Sequence, residues 1–460
     1  MPTDAFGLPI SAANDEAATA FDELVSAYLG FRRDTGDCLK AALAADPNLV
    51  LAHVLKGYFY LLFCDPQMDG RVVKTLETAE AAASEANERE RLHIDALHAW
   101  AAQDLVGATT AWEGILLRWP RDVLALRLAH FTHFYLGDAR QLRDSAARVL
   151  PLWNEADSGH AYVLGMWAFG LEECGDYARA EEAGRRAVDL NPANIWAVHA
   201  VAHVMEMQGR LAEGIAWLTD TEPDWALCNN FAYHVWWHRA LFHLERGEHS
   251  VVLDHYDNCF RDDKGSEDYL DMSNAIAMLW RLDEASVDVG NRWHELADKS
   301  EKRIDDHVLT FIDAHLVMAL AADSRQPAID KLLATMDVAS EADTSQARVY
   351  REVGIPLCEA VIAYRAGDFE IAVDCLWPIR YDLVRIGGSH AQRDVFQQTL
   401  IDAALKAGRV ALARGLLAER VAVRPNSPQS WQRYARCLDR IGDTSAAADA
   451  RLHAAALVPG

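Results

Sequence analysis

A glycine-to-proline interval of 17 residues constrains the fold of this chain more than any other feature of its sequence. The interval runs from Gly175 to Pro192 and again from Gly408 to Pro425. Glycines also recur at 34 residues, because Gly209 lies that far beyond Gly175. Glycine suits the tight turn that follows one helix, and proline cannot continue the helix after it. The spacing therefore predicts repeated pairs of helices.

A period of 34 residues with this punctuation is typical of the tetratricopeptide repeat (TPR), a helical hairpin. Each hairpin has an apolar face that it cannot bury alone, so neighbouring hairpins stack into a superhelix with a concave groove. Ala180 and Ala187 supply the small residues that the second helix of a hairpin needs for close packing. We therefore predict an all-α fold, a TPR-like α-α superhelix (solenoid) of antiparallel helix pairs.

The same turn signal recurs along most of the chain, which predicts one continuous domain over residues 1–460. Further turn glycines are predicted at Gly107, Gly137, Gly247, Gly367 and Gly442. Residues 262–350 lack the period but keep apolar residues at helical spacing, so we expect degenerate helical hairpins there. They separate N-terminal hairpins in 1–261 from C-terminal hairpins in 351–460.

The charge of the chain limits its expected partners. Lysine and arginine number 44 against 69 aspartate and glutamate residues, a net charge of −25. This acidity repels nucleic acid and anionic membranes, and no run of basic residues offsets it. We therefore expect no nucleic-acid partner and no membrane partner, and a small molecule or peptide as ligand. Homo-oligomerisation is left open.

Features of targeting and redox chemistry predict a cytoplasmic protein. The start of the sequence has no basic segment followed by an apolar run, so no secretory signal is recognised. No uninterrupted apolar stretch is long enough for a membrane span. The eight cysteines are scattered and never form Cys-x-x-Cys, as expected of reduced thiols.

The repeat register predicts which side chains line the groove. With Gly209 at position 15, a first helix begins at Ile195 and the inward positions are 2, 5, 9 and 12. These positions are held by Trp196, His199, His203 and Glu206, and neighbouring units add Arg127, Phe131, Phe134, Tyr162, Phe169, His234, Trp237 and His238. Peptide-docking grooves need lysine, arginine and asparagine donors, whereas aromatic walls with a few polar groups suit a small-molecule pocket. We predict ligand contacts from Phe131, Tyr162, Phe169, Trp196 and Trp237.

Paired histidines in this register carry the predicted chemistry. His199 and His203, and likewise His234 and His238, are spaced i, i+4, which places each pair on one helix face. Together with Glu206 they form a candidate catalytic set of general acids and bases. The four histidines could instead hold a divalent metal such as zinc. Two plainer alternatives remain: structural histidines bonded to a neighbouring helix, and a surface bridge from Glu206 to the residue four positions on.

A second constellation follows a glycine pair at 387–388. Ser389 and Gln392 form a capping box, which predicts a helix that begins at His390. With Arg393 and Asp394, this helix start could hold a carboxylate or phosphate group. The alternative is a well-capped helix with no ligand. His315, in the irregular middle section, is a further candidate ligand contact.

Several stretches across the chain resemble one known family. They are RLHIDA at 91–96, YLGD at 135–138, RDSAAR at 143–148, NPANIWAVHAVAH at 191–203, HVWWHRAL at 234–241, DAH at 313–315, VGIPLC at 353–358, PIRY at 378–381 and GGSHAQRD at 387–394. In these stretches the chain resembles the tetratricopeptide repeat protein 38 family. The resemblance implies a TPR-like helical fold and no named activity or catalytic residue.

Two functions follow from the sequence. The first is a cytoplasmic TPR-like protein that binds a small molecule or a peptide segment in an aromatic, histidine-lined concave pocket. The alternative is an enzyme, a hydrolase or lyase, that uses the paired histidines for acid/base or metal-assisted chemistry. No glycine-rich phosphate loop, nucleophile elbow or dinucleotide fingerprint is present, so the sequence leaves open whether the chain is an enzyme.

Overall fold

The computed structural model describes residues 2–457, and these residues form an all-α chain with no β-strand. The first thirteen α-helices are α1 Asp15–Leu29, α2 Thr35–Ala45, α3 Val50–Leu62, α4 Asp69–Ala82, α5 Glu88–Ala101, α6 Leu105–Arg118, α7 Val123–Tyr135, α8 Ala139–Val149, α9 His160–Glu173, α10 Tyr177–Leu190, α11 Ile195–Met207, α12 Leu211–Asp220 and α13 Glu222–Trp225. The later ones are α14 Phe231–Glu245, α15 His249–His255, α16 Tyr269–Glu284, α17 Arg292–Glu301, α18 Thr310–Ala322, α19 Gln326–Ser340, α20 Ala347–Val349, α21 Ile355–Ala366, α22 Phe369–Ile379, α23 His390–Lys406, α24 Val410–Val423, α25 Pro428–Arg440 and α26 Thr444–Ala456.

Consecutive helices pack as pairs joined by short glycine turns, which confirms the predicted TPR-like helical-repeat fold. α9 packs on α10, α21 on α22 and α25 on α26. The turn glycines adopt positive φ angles between 68° and 88° at Gly137, Gly175, Gly209, Gly247, Gly367, Gly408 and Gly442. A residue with a side chain rarely adopts this conformation, so the glycines fix where each pair turns.

Gly107, one of the predicted turn glycines, lies inside a helix and not in a turn. Gly107 lies in the first turn of α6, where its amide donates a hydrogen bond to the Asp104 side chain at 2.8 Å. The left-handed turn residue is Gln103, with a φ of 59°. Asp104 caps α6 and fixes its start, so the turn forms earlier, at a residue other than glycine.

Small residues on α10 allow its close packing, as the repeat pattern predicts. Ala180 and Ala187 are completely buried. A Cβ added to Gly184 would lie only 2.6 Å from Val201 Cγ2 on α11. The absence of side-chain bulk on this face therefore sets how near the two helices lie.

The middle of the chain departs from the regular hairpin pattern, as predicted. α15 ends in a π-helical segment at Tyr256–Phe260, and a second one at Tyr350–Gly354 precedes α21. Such segments insert a residue into the helical ladder and change the direction in which the next side chains point. The regular period of the flanking hairpins is lost between them.

The described chain divides into two compact units. The first comprises the described residues up to Val201 together with Thr221–Ala232 and Ala342–Arg348, and the second comprises the rest. The boundary falls within α11 and near the start of α14, so each of these helices contributes to both units. The prediction of one continuous domain over 1–460 stays a prediction, and residues 1 and 458–460 lie outside the described range. Within residues 2–457, no helix has both the length and the apolar character needed to span a bilayer.

Candidate functional site

Three of the predicted histidines meet inside the second unit and are called the histidine cluster here: His203, His234 and His238. His203 lies on the second half of α11, and His234 and His238 lie one turn apart on α14. Each is buried, with at most 3% of its surface exposed. One nitrogen atom from each ring lies within 4.8 Å of a nitrogen from the others. The i, i+4 spacing on α14 and the inward register of α11 thus bring the three rings together.

A chain of hydrogen bonds orients two of these rings. His238 Nδ1 lies 3.0 Å from Glu206 Oε2, and His234 Nδ1 lies 3.2 Å from Asn274 Oδ1. A carboxylate or an amide oxygen can only accept a hydrogen bond, so both Nδ1 atoms donate when the Asn274 oxygen faces His234. Each ring therefore turns its Nε2 atom inward.

The two inward nitrogens are close to one another. His234 Nε2 and His238 Nε2 are 3.2 Å apart. Two neutral imidazoles that both donate from Nδ1 would oppose two lone pairs at this distance, which is repulsive unless a proton or a metal ion lies between them. Two nitrogens on one tetrahedral zinc ion lie about 3.3 Å apart, given bond lengths of about 2.0 Å. The donor set and its separation fit a divalent metal.

Burial controls the protonation of the cluster. The pKa of His203 lies well below its ordinary value, first because of burial and then because of His238, His234, His390 and Arg424 nearby. The pKa of His234 is likewise well below its ordinary value, because of burial and the neighbouring His238. Both rings are therefore neutral at pH 7, the state that a metal ligand requires, and pKa values this far below neutrality make them weak general bases.

An aromatic wall covers one side of the histidine cluster. The indole of Trp237, a predicted ligand residue, is fully buried and stacks on His234 with ring centres 5.4 Å apart. The Arg281 guanidinium lies 5.6 Å from the Trp237 ring and donates to the carbonyl oxygens of Ala277 and Ala391, at 3.1 and 2.8 Å. Both side chains are buried, and a buried environment strengthens electrostatic interactions at the rings.

The contacts of Glu206 differ from the plain surface bridge that the sequence also allowed. Glu206 accepts a hydrogen bond from the buried His238 ring. The residue four positions on, Arg210, forms an ion pair with Glu213 at 2.6 Å. Glu206 therefore acts on the histidine cluster.

The other part of the predicted groove lies in the first unit as an aromatic cluster, defined as Phe31, Phe131, Phe169, Trp196 and Phe231. Trp196 contacts Phe169, Phe231 and Phe131 with ring centres 4.9, 5.4 and 5.5 Å apart. His199, one turn before His203 on α11, lies 5.2 Å from the Trp196 ring and 5.3 Å from Phe169. Three predicted ligand residues, Phe131, Phe169 and Trp196, are thus brought together.

Tyr162 lies on α9 in the first unit, and its hydroxyl reaches the residue that follows α1. Its hydroxyl is so close that a Cβ added to Gly30 would approach it to 3.3 Å. Burial raises the pKa of the Tyr162 hydroxyl, which therefore stays protonated. A direct ligand contact from Tyr162 remains a prediction.

The constellation at 387–394 has the predicted helix start. Ser389 Oγ accepts from the Gln392 amide at 3.3 Å, and Gln392 Oε1 accepts from the Ser389 amide at 2.9 Å, so the capping box is confirmed. Arg393 donates to the carbonyl oxygen of Gly388. Asp394 accepts two hydrogen bonds from Arg420, at 2.7 and 3.1 Å.

These contacts give Arg393 and Asp394, two of the predicted ligand residues, a structural role. Arg393 stabilises its own turn, and Arg420 and Arg424 hold the pKa of Asp394 well below its ordinary value despite burial. His390 is half-buried at the first position of α23, near enough to His203 to lower the pKa of that ring. Anion binding here stays a prediction.

His315 is a buried histidine with a backbone partner. Its Nδ1 atom donates to the Phe311 carbonyl oxygen at 2.7 Å, and its ring lies 5.6 Å from Phe396. Burial lowers the pKa of His315 to about 4. These contacts account for the residue through packing, and its proposed ligand role stays a prediction.

Sequence reasoning missed two residues of these clusters. Asn274 lies on α16, 40 residues beyond His234, and no periodic pattern connects the two. Phe31 follows Gly30 in the turn after α1, in a stretch without the repeat period. The glycine before Phe31 was the one available signal, since it marks the helix end that brings the ring into place.

The comparisons with known proteins concern the fold. No protein-family model matches the chain. A human IFIT1 dimer with PPP-AAAA is similar over 97% of this chain and 96% of that chain, at 13% identity and a TM-score of 0.40. A human IFIT1 dimer with m7Gppp-AAAA covers the same shares at 13% identity and a TM-score of 0.35. Naa15/Naa10 bound to HypK-THB is similar over 96% of this chain and 64% of that chain, at 14% identity and a TM-score of 0.23.

These structures correct the prediction that nucleic acid is excluded as a partner. The IFIT1 structures contain the oligonucleotides PPP-AAAA and m7Gppp-AAAA. The prediction is wrong because it rested on a net charge of −25, which sums the whole chain and does not describe the lining of one site. At these TM-scores the likeness assigns no ligand to this chain, and its fold stands on the helix pairs and turn glycines described above.

Proposed function

We propose that this chain binds one zinc ion through His203, His234 and His238 and uses it in metal-assisted hydrolysis of a small organic molecule. The observation that carries the proposal is the 3.2 Å separation of His234 Nε2 and His238 Nε2 while both Nδ1 atoms donate elsewhere. Zinc held by three histidines supplies an acidic bound water and an electrophile. The low pKa values of His203 and His234 favour this use over acid/base catalysis by the rings themselves.

Glu206 and Asn274 are positioning residues in this proposal. Each accepts a hydrogen bond from the Nδ1 atom of one proposed ligand, as carboxylates and carbonyl groups do around histidine-bound zinc. They fix the tautomer and the direction of the ring, and the Glu206 carboxylate makes His238 a stronger ligand. Loss of such a partner weakens metal binding about 10- to 100-fold.

The same contacts also allow arrangements without metal. In one of them His238 carries a proton on each nitrogen, pairs with the Glu206 carboxylate and donates from Nε2 to His234 Nε2. If the Asn274 amide is turned around, it donates to His234 Nδ1, His234 Nε2 donates to His238 Nε2, and His238 Nδ1 donates to Glu206. All groups are then neutral except the carboxylate, and the cluster is a structural hydrogen-bond chain. These arrangements differ from the metal-bound one in zinc content and are separated from it by the experiment below.

His199 decides whether the metal site is open. It precedes His203 by one turn on α11 and is the fourth candidate ligand. Three protein ligands leave a position for water or substrate, as in catalytic zinc sites, whereas four close the site, as in structural ones. We favour the three-ligand site because the rings around His199 are those of Trp196 and Phe169, an environment suited to an apolar substrate.

The test is zinc binding by the full chain after removal of metal with a chelator. Wild-type protein should bind one equivalent, and His234→Ala and His238→Ala should lose it. Glu206→Gln should bind about 10- to 100-fold more weakly, because the carboxylate no longer orients His238. His315→Gln, which alters a buried histidine with a backbone partner, is the matched control and should bind as the wild type does.

The same preparations test the reaction class with p-nitrophenyl acetate as the probe. Zinc-loaded wild type should hydrolyse this ester faster than His238→Ala, and His199→Ala should retain both zinc and hydrolysis. Loss of zinc in His199→Ala would show a closed four-histidine site and overturn the hydrolase proposal. Equal zinc binding by wild type and His238→Ala, with both folded by circular dichroism, would overturn the metal site itself.

Other proposals rest on the sequence alone. They are membership of the tetratricopeptide repeat protein 38 family, a cytoplasmic location and self-association. Binding of a small molecule or peptide without chemistry is the second candidate function, and the aromatic cluster of the first unit is the feature that favours it.

A further inference from the structure

A buried arginine without a counter-ion lies at the centre of the aromatic cluster. Arg127 on α7 is 2% exposed. Its guanidinium carbon lies 4.1 Å from the Phe131 ring centre, 4.2 Å from Trp196 and 4.8 Å from Phe31. Within residues 2–457 no carboxylate forms an ion pair with it, and its Nε and Nη2 atoms have no hydrogen-bond acceptor.

The guanidinium remains charged in this environment. Burial lowers the pKa of Arg127 to about 10, and the nearby Tyr28 and Tyr135 hydroxyls act in the opposite direction. A buried charge is strongly unfavourable unless it is paired and hydrogen-bonded. The three ring faces offset part of this cost by cation–π attraction, but they accept no N–H hydrogen bonds of ordinary strength. The arginine therefore lacks an anion.

Other buried polar atoms lie near Arg127. The Trp196 Nε1 atom is buried and has no hydrogen-bond partner in the described chain, and the buried Tyr28 hydroxyl lies close enough to Arg127 to interact with it. Buried polar atoms in folded proteins nearly always have a hydrogen-bond partner. Arg127 Nε and Nη2 and Trp196 Nε1 can only donate hydrogen bonds, so these three atoms match an acceptor, that is, an anionic oxygen-bearing group.

The backbone of Phe31 is strained in a way that serves this site. Its φ angle is 52°, a left-handed conformation that a bulky residue rarely adopts. This turn stacks the Phe31 ring on Phe231 at 4.5 Å and holds it over Arg127. Strained residues of this kind cluster at ligand clamps. Phe31 and Phe131 are only half-buried, so the edge of the cluster meets solvent.

We propose that Arg127 binds the carboxylate of a small organic monoanion, with Phe31, Phe131 and Trp196 around its apolar body. The flat guanidinium fork matches a carboxylate with two hydrogen bonds. One negative charge balances the one buried positive charge, which a strongly hydrated dianion would not do. The residues all belong to the first unit, and the site requires neither the histidine cluster nor a metal.

The test uses the full-length chain, freed of metal, and thermal unfolding with sodium formate, acetate, benzoate and phenylacetate at constant ionic strength. Benzamide and phenylacetamide are the neutral counterparts of benzoate and phenylacetate, and sodium chloride is the salt control. At least one carboxylate should raise the Tm of the wild type, and its amide should not. Titration calorimetry with that carboxylate should show at least a tenfold loss of affinity in Arg127→Met.

Two controls keep the test decisive. Arg179→Met removes an arginine over the Trp167 ring, elsewhere in the first unit, and should bind the carboxylate as the wild type does. Without ligand, Arg127→Met should have a Tm equal to or above that of the wild type, because it removes an unpaired buried charge. The proposal is overturned if no carboxylate stabilises the wild type more than Arg127→Met. A large drop in the Tm of ligand-free Arg127→Met would also overturn it.

Discussion

Buried histidines in the second unit differ in what their ring nitrogens contact. In His234 and His238 one nitrogen of each ring is held by a polar side chain and the other faces the partner ring. In His315 the held nitrogen donates to the backbone of its own helix. Histidines of similar burial thus differ in which atoms they can bind, and the direction of Nε2 distinguishes a candidate ligand from a packing residue.

The buried His315 predicts a loss of stability in mild acid. Its pKa is about 4 in the folded chain and near 6.5 when unfolded, so below pH 6.5 the unfolded state binds the proton more readily. Stability from the neutral ring is present above pH 6.5 and is lost as the pH falls toward 4. Between pH 7 and 5 the wild type should lose about 2 kcal/mol more than His315→Gln.

Urea unfolding at pH 7 and pH 5 measures this difference. Glutamine keeps a donor for the Phe311 carbonyl oxygen but does not titrate, so the two proteins should differ in the pH dependence of unfolding. Equal changes in the free energy of unfolding for the two proteins would show that His315 is not the titrating group.

At the scale of the helix, the repeat register predicted the element that carries the site. α11 begins at Ile195, the residue that the position of Gly209 indicates, and its inward residues include His203 and Glu206. The start of α23 was also predictable, because a capping box is a local signal. Local spacing fixes which face of a helix a residue occupies, and these predictions depended on nothing else.

Partners from distant parts of the chain were beyond such reasoning. The acceptor on Asn274 and the rings of Phe31 and Trp196 over Arg127 depend on how separate helices pack. The positive φ of Phe31 and of Gln103 also escaped prediction, because turn patterns assign that conformation to glycine. Tertiary packing overrides the local preference at both residues.

The turn before α23 offers an element-scale prediction. Gly388 has a φ of 77°, and a Cβ there would lie 2.7 Å from Phe311 Cε2. Gly388→Ala therefore adds backbone strain and a steric clash, and should destabilise the chain by about 3 kcal/mol. Gly408→Ala has a similar φ of 73° but no atom within 4 Å of the new Cβ, so only the strain of about 1 kcal/mol applies.

Urea unfolding of the two variants measures the difference. A greater loss in Gly388→Ala would show that Phe311 packs against the turn as described. Equal losses would mean that the turn moves to accommodate the methyl group.

Across the whole molecule, two clusters of different chemistry occur within one helical-repeat chain. The second unit contains a histidine cluster that fits a metal ion, and the first contains an aromatic cluster around a buried cation. Neither cluster follows from the net charge of −25, because buried side chains contribute little to the field of an acidic surface. The repeats provide the common framework, in which inward positions accept polar residues without disturbing the outer packing.

Zinc K-edge X-ray absorption of the chain loaded with one equivalent of zinc tests the central claim most directly. We expect four nitrogen or oxygen neighbours at about 2.0 Å, with the outer-shell scattering of three imidazole rings. His238→Ala should lose one imidazole from this pattern or lose the metal altogether. A spectrum of oxygen neighbours without imidazole scattering would contradict the account.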